Sequence, residues 1–134
     1  MLHFLADFLN DHFGSFPIGK PILEEFRVVV VGGEAVGCVR KGAVAGRISR
    51  NRAVGAEWEH AEDVEAKALA TKAAAVHGYT FAGVDVAHVH SGYVIIECNR
   101  NPQFAGFDKA TGNSVARAMA RYALRRLREA APSS

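Results

Sequence analysis

The chain has 134 residues, 49% of them hydrophobic and 22% charged, with a formal net charge of +2, which is one ordinary domain with material for a real core. A charge that small gives no reason to expect nucleic acid, and no stretch approaches the roughly 20 apolar residues of a membrane span. The two isolated cysteines, Cys38 and Cys98, lie in apolar runs and read as buried thiols in a cytoplasmic protein, not as a disulfide framework.

The opening MLHFLADFLNDHFG sets Leu2, Leu5 and Phe8, with Phe4 and Leu9, at helical spacing before Gly14. It predicts a short amphipathic helix, too acidic and too interrupted for a secretory signal. Residues 15–22 are punctuated by Pro and Gly and read as a loop. FRVVVVGGEAVGCVRK then predicts a hairpin: four β-branched valines make a buried strand, Gly32-Gly33 the tight turn, and Ala35–Arg40 the return. No Lys-Ser or Lys-Thr follows those glycines, so they are not a phosphate loop. Residues 42–57 show no period and read as a loop, with room for a short strand.

Residues 60–77 carry Val64, Ala68, Leu69, Ala73 and Val76 at helical spacing, with Glu62, Asp63 and Glu65 early, Lys72 and His77 late, and Gly78 as the stop. That charge order complements the helix dipole. A second hairpin is predicted from Thr80 to Asn99 around His90-Ser91-Gly92, and a last helix from Asn113 to Arg128. On that helix Arg117, Arg121, Arg125 and Arg128 share one stripe, while Val115, Met119, Tyr122 and Ala123 share another. The Arg stripe lacks interleaved aromatics for base stacking and reads as a solvated face. Hairpins alternating with helices predict an α+β fold, an antiparallel sheet covered by helices.

A loop centred on residue 91 makes Asp85 and Glu97 face each other across the ladder, and Asn99, two residues on, points to the same side. Opposed carboxylates repel, and a hard divalent cation would compensate, since Mg²⁺ takes carboxylate, amide and phosphate oxygens. On spacing alone the opposite reading stands equally well, with Asp85 at a strand end and Glu97 in solvent. Val84, Val86, Val94, Ile96 and Cys98 are expected to anchor the strands from the other face. Arg27, Arg40 and Lys41, taken alone, read as surface cations at strand ends. His88 and His90 have no partner at metal-ligand spacing, and neither cysteine has a His-Asp relay.

Several motifs share one frame: Gly83-Val84-Asp85; Glu97-Cys98-Asn99 with Pro102; Gly106-Phe107-Asp108-Lys109 with Thr111-Gly112; Phe26-Arg27 ahead of VVVVGGE; and Asn51 with Gly55. Over about residues 25 to 127 this frame resembles the carboxy-terminal part of the RimK-type ATP-grasp ligases. That family includes ribosomal-protein glutamate ligases and the carrier-protein ligases of lysine biosynthesis.

The resemblance implies ATP and Mg²⁺ as cofactors, with Mn²⁺ as a substitute, and a carboxylate–amine ligase working through an acyl phosphate. Asp85, Glu97 and Asn99 would be the metal ligands. Arg27 would face the γ-phosphate or the acyl phosphate. Asn51, Arg40 and Lys41 would line the nucleotide or anionic-substrate pocket. The acceptor would be an amino acid, an acidic peptide or a carrier protein.

The family's phosphate-gripping lysines and glycine-rich flap lie upstream of the position of Arg27. The expectation is therefore that residues 1–24 stand where those subdomains usually are, and residues 25–130 form the carboxy-terminal subdomain. A homodimer or a partner protein would supply the other half. Two further readings follow from the same residues: a non-catalytic binding module of ATP-grasp origin, and a Mg²⁺-dependent phosphohydrolase using the carboxylate pair.

Overall fold

The computed structural model describes residues 21–42 and 58–132. In chain order it has β1 (Ile22–Val31), β2 (Glu34–Lys41), β3 (Trp58–His60), α1 (Val64–His77), β4 (Phe81–Val89), β5 (Gly92–Asn99), α2 (Ala105–Thr111) and α3 (Val115–Ala130). The strands form one antiparallel sheet in the order β3-β2-β1-β4-β5, so the α+β expectation holds. The two predicted hairpins lie side by side, joined through β1 and β4. The predicted helix at residues 1–14 and the loop carrying Asn51 fall outside the described residues. No described helix is long and apolar enough to cross a membrane.

Strand alternation divides the valine run between two cores. Phe26, Val28 and Val30 join Cys38, Val84, Val86 and Ile95 under α1, whose inner face is Ala66, Leu69, Ala70, Ala73 and Ala74. Four alanines among those five residues let the helix lie close to the sheet. Asp63 caps α1 by accepting from the Ala66 amide at 2.9 Å, and Gly78 ends it in a left-handed conformation. Burial pushes the Cys38 thiol up to about 11 from an ordinary 9.0. On the opposite side Val29, Val31 and Val39 pack with Phe107 of α2 and Val115 of α3.

Both hairpins carry an extra residue on their second strand. In the first, Gly32 and Gly33 take positive φ of 59° and 84°, as a two-residue hairpin turn twisted like its strands requires. Val29 then pairs with Gly37 and Val30 with Ala35, which leaves Val36 as the extra residue. In the second, the turn is His90-Ser91, one residue shorter than expected, so Val86 pairs with Ile95. The bulge at Ile96 shifts the register, and Asp85 still pairs with Glu97.

That bulge corrects the anchor assignment. Ile95 is 2% exposed and faces α1, whereas Ile96 is 40% exposed. Val94 packs with Ala87 and Val89 in a separate small cluster.

Three boundaries also differ from the sequence reading. β1 begins at Ile22, inside the expected loop. The segment after Pro102, for which no element is predicted, contains α2, a seven-residue helix closed by Gly112. The last helix begins at Val115, capped by Ser114, whose hydroxyl accepts from the Arg117 amide at 3.2 Å.

Candidate functional site

The α2/α3 side of the sheet carries charge where its apolar packing ends. Arg27 precedes Val29 by two residues and so shares its face. Its pairing partner on β4 is Asp85. Both are buried, at 3% and 8% exposure. The guanidinium donates through Nε to Asp85 Oδ1, and through Nη2 to Oδ2 at 3.0 Å. This two-pronged geometry suits a planar cation on a carboxylate.

Glu97, exposed, stands directly across from Asp85 on β5, and Asn99 across from Gly83. The three residues expected to share a face therefore do so. The Asn99 amide oxygen accepts from the Asn101 backbone N–H at 2.9 Å, which turns the chain off the strand.

Pro102 then passes over Gly83. A Cβ on Gly83 would stand 2.5 Å from Pro102 Cβ, closer than real contacts allow, so the glycine is what admits the proline. The segment after Asn99 is thereby laid across the sheet next to Arg27, whose Cδ would be 3.5 Å from that same Cβ. A cavity of about 190 Å³ opens here, lined by Arg27, Trp58, Gln103, Gly106 and Phe107. The Trp58 ring lies 5.7 Å from the Arg27 guanidinium carbon, within cation–π range.

Lys41 lies on this face too, with Nζ 3.3 Å from Glu25 Oε1, both side chains mostly covered. Arg40 does not belong to the group. It points to the α1 side, where its guanidinium donates to Glu24 and Glu59, each at 3.1 Å, in solvent. Sequence reasoning missed three residues: Trp58, Gln103 and Glu25. Trp58 is the only tryptophan in the chain and sits just after the stretch read as a loop, which is the one available signal for it.

The donor set suits a hard cation. Asp85 and Glu97 offer carboxylates and Asn99 an amide oxygen, the ligand types Mg²⁺ accepts together with phosphate and water. Among the described residues no three His, Cys, Asp or Glu side chains gather into a self-sufficient metal centre. A cation here would therefore need ligand oxygens from elsewhere. Cys98, between Glu97 and Asn99, belongs to the α1 side. Burial and the adjacent Glu97 push its thiol up to about 11.

The family model for the RimK-like ATP-grasp domain matches residues 15–123. A probable alpha-L-glutamate ligase of Halorhodospira halophila is 36% identical over 94 residues, which is 69% of this chain and 31% of that protein. The human N-acetylaspartylglutamate synthase A is 31% identical over 103 residues, covering 75% of this chain and 26% of that one. The chain thus spans about a third or less of these relatives. Among solved structures, the ATP-grasp ligase PsnB complexed with a phosphomimetic variant of its minimal precursor, Mg and ADP superposes with a TM-score of 0.62 at 18% identity, over 83% of this chain and 34% of PsnB. With a family model matched over most of its length, this chain belongs to the RimK-like ATP-grasp family.

Proposed function

We propose that the chain forms the metal-bearing wall of the nucleotide site in an ATP-dependent carboxylate–amine ligase. The observation that carries this reading is the Arg27–Asp85 pair, buried beside a cavity, with Glu97 and Asn99 on the same face. Asp85, Glu97 and Asn99 would hold Mg²⁺, or Mn²⁺ in its place. The ion would screen the triphosphate and the phosphoryl group being transferred.

The chain's own residues would do the rest. Arg27 presents its cation to the γ-phosphoryl group as a substrate carboxylate attacks it, and then to the acyl phosphate until an amine displaces phosphate. Trp58 and Phe107 narrow the cavity against bulk water. Lys41, turned toward this face, supports the anionic ligand, as does Asn51 from the segment outside the described residues. Arg40, on the other side, is not part of this proposal. The acceptor class follows the relatives: an amino acid such as glutamate, an acidic peptide or a carrier protein. Polypeptide beyond residues 21–132, of this chain or of a partner such as a second copy, supplies the opposite wall.

Calorimetric titration with ATP and Mg²⁺ tests the proposal. Tight binding should require both together, and the gain from Mg²⁺ should be abolished by Asp85→Asn with Glu97→Gln. ADP release should depend on an added amino acid or acidic peptide and fall about 10²-fold or more in Arg27→Gln, the loss typical of removing one charge-stabilising donor. Phosphate release without any acceptor would instead mark a hydrolase, and no binding at millimolar ligand would mark a module without turnover.

A further inference from the structure

The Arg27–Asp85 pair joins two residues that the proposed function assigns to different ligands. Asp85 is to hold a metal and Arg27 is to hold phosphate, yet the guanidinium donates to both oxygens of the Asp85 carboxylate. A divalent cation brought alone to Asp85 and Glu97 would meet a buried positive charge already seated there. A phosphate brought alone to Arg27 would meet a guanidinium already neutralised. Each ligand faces an obstacle that the other removes.

The surroundings of Arg27 are not all carboxylate. Its guanidinium lines the cavity shared with Gln103, Gly106 and Phe107. The face of Trp58, 5.7 Å from its carbon, supports a cation there without a carboxylate. Its stem runs beside Gly83, with Cδ 3.5 Å from the place a Cβ would occupy, so the backbone there sets no branched side chain against it.

We infer that Arg27 is an internal counter-cation for Asp85, holding that carboxylate until metal and phosphate arrive together and so making their binding cooperative. The inference rests on the proposed function, because it takes the metal and phosphate sites from it. Arg27 swings from Asp85 toward the phosphate as Asp85 turns to the cation. Neither group is then left as an unpaired buried charge, a state that is strongly disfavoured.

The test uses the full chain, with Mn²⁺ alone as one probe and ADP in excess chelator as the other. Wild type should bind each weakly alone, and each should tighten the other by about fivefold or more, the usual span of a linked pair of sites. Arg27→Gln should bind Mn²⁺ alone about fivefold tighter or more, with the coupling to ADP lost. Asp85→Asn should lose Mn²⁺ but bind metal-free ADP more tightly than wild type, because it releases the guanidinium. If Arg27→Gln binds Mn²⁺ no tighter while Asp85→Asn abolishes it, the counter-cation role is overturned and the metal site stands. Should Arg27→Gln fail to fold, Asp85→Asn decides alone: metal-free ADP no tighter than in wild type overturns the inference. If Mn²⁺ binding ignores both Asp85→Asn and Glu97→Gln, the proposed function itself is wrong.

Discussion

On the α1 side of the sheet, polar groups form a row along the wet end of the core. Glu59, Arg40 and Glu24 are ion-paired, His88 lies 3.6 Å from Glu24 and stacks on Tyr93, and the Tyr93 hydroxyl donates to Asp63 at 3.0 Å. The row crosses all five strands and most of it is in water. On the α2/α3 side, the pair made by Arg27 and Asp85 is buried. Exposed pairs gain little and are screened by salt. A buried pair must overcome a desolvation cost that well-packed apolar residues would never incur. The row can be understood as solvated strand ends. The pair calls for a reason beyond folding, and a site that must present a carboxylate and a cation to different ligands supplies one.

The contrast can be broken from the largest effect downward. Arg27→Leu takes the guanidinium away from the buried Asp85 carboxylate and should cost about 3–5 kcal/mol, measured by urea unfolding. Adding Asp85→Leu to it should recover much of that loss. If the single change is as mild as a surface substitution, the pair is wetter than its burial indicates. Next, Ile95→Ala should cost about 2–5 kcal/mol as a core truncation. Ile96→Ala should stay within about 0.5 kcal/mol, although the two isoleucines are neighbours in sequence; equal losses would place the bulge elsewhere.

Gly83→Ala should cost about 1–3 kcal/mol through its clash with Pro102. It should also weaken ATP–Mg²⁺ binding, because the displaced segment carries Gln103 and Gly106 into the cavity. Alkaline pH acts from the α1 side. The Cys38 thiol is raised to about 11 and the Tyr93 hydroxyl to about 12, so the folded chain keeps protons there that the unfolded chain gives up. Their stabilisation is complete below pH 9 and is lost as the pH rises through about 11 for Cys38 and about 12 for Tyr93. Thermal melts should show that decline, and Cys38→Ala should flatten it. Arg40→Gln should have the smallest effect: a slight change in melting temperature that vanishes in salt, with nucleotide binding unaltered.

How much of this was legible before any coordinates can be read from particular residues. The valine run, Gly32-Gly33 and the Asp63-to-Gly78 helix are local signals of period, turn and cap, and they produced the right sheet and helix. The Asp85–Glu97 pairing was also expected, but from a symmetric three-residue loop. The chain uses a shorter turn and a bulge whose offsets cancel, and nothing in YVIIE distinguishes the inward isoleucine from the outward one. Arg40 and Lys41 looked equivalent at a strand end. Alternation sends them to opposite sides, and only the placement of Val39 and Cys38 in their cores decides which is which. Trp58 could not be tied to Arg27 because the two are far apart in sequence and meet only through β3 pairing with β2. Phe104, just before helix α2, offers no side-chain cap, so the usual start signal is missing.

The bulge at Ile96 has one more effect. In the described sheet β5 is an outer strand, and the other outer strand, β3, is three residues long. A long, flat outer strand with an apolar outward residue is a template on which another chain can add itself. Here the irregularity falls where the outward Ile96 sits, twisting the hydrogen-bonding groups out of line. The same extra residue that aims Glu97 thus guards the sheet's flank against runaway self-assembly. Deleting it would threaten the solubility of the protein as well as its chemistry.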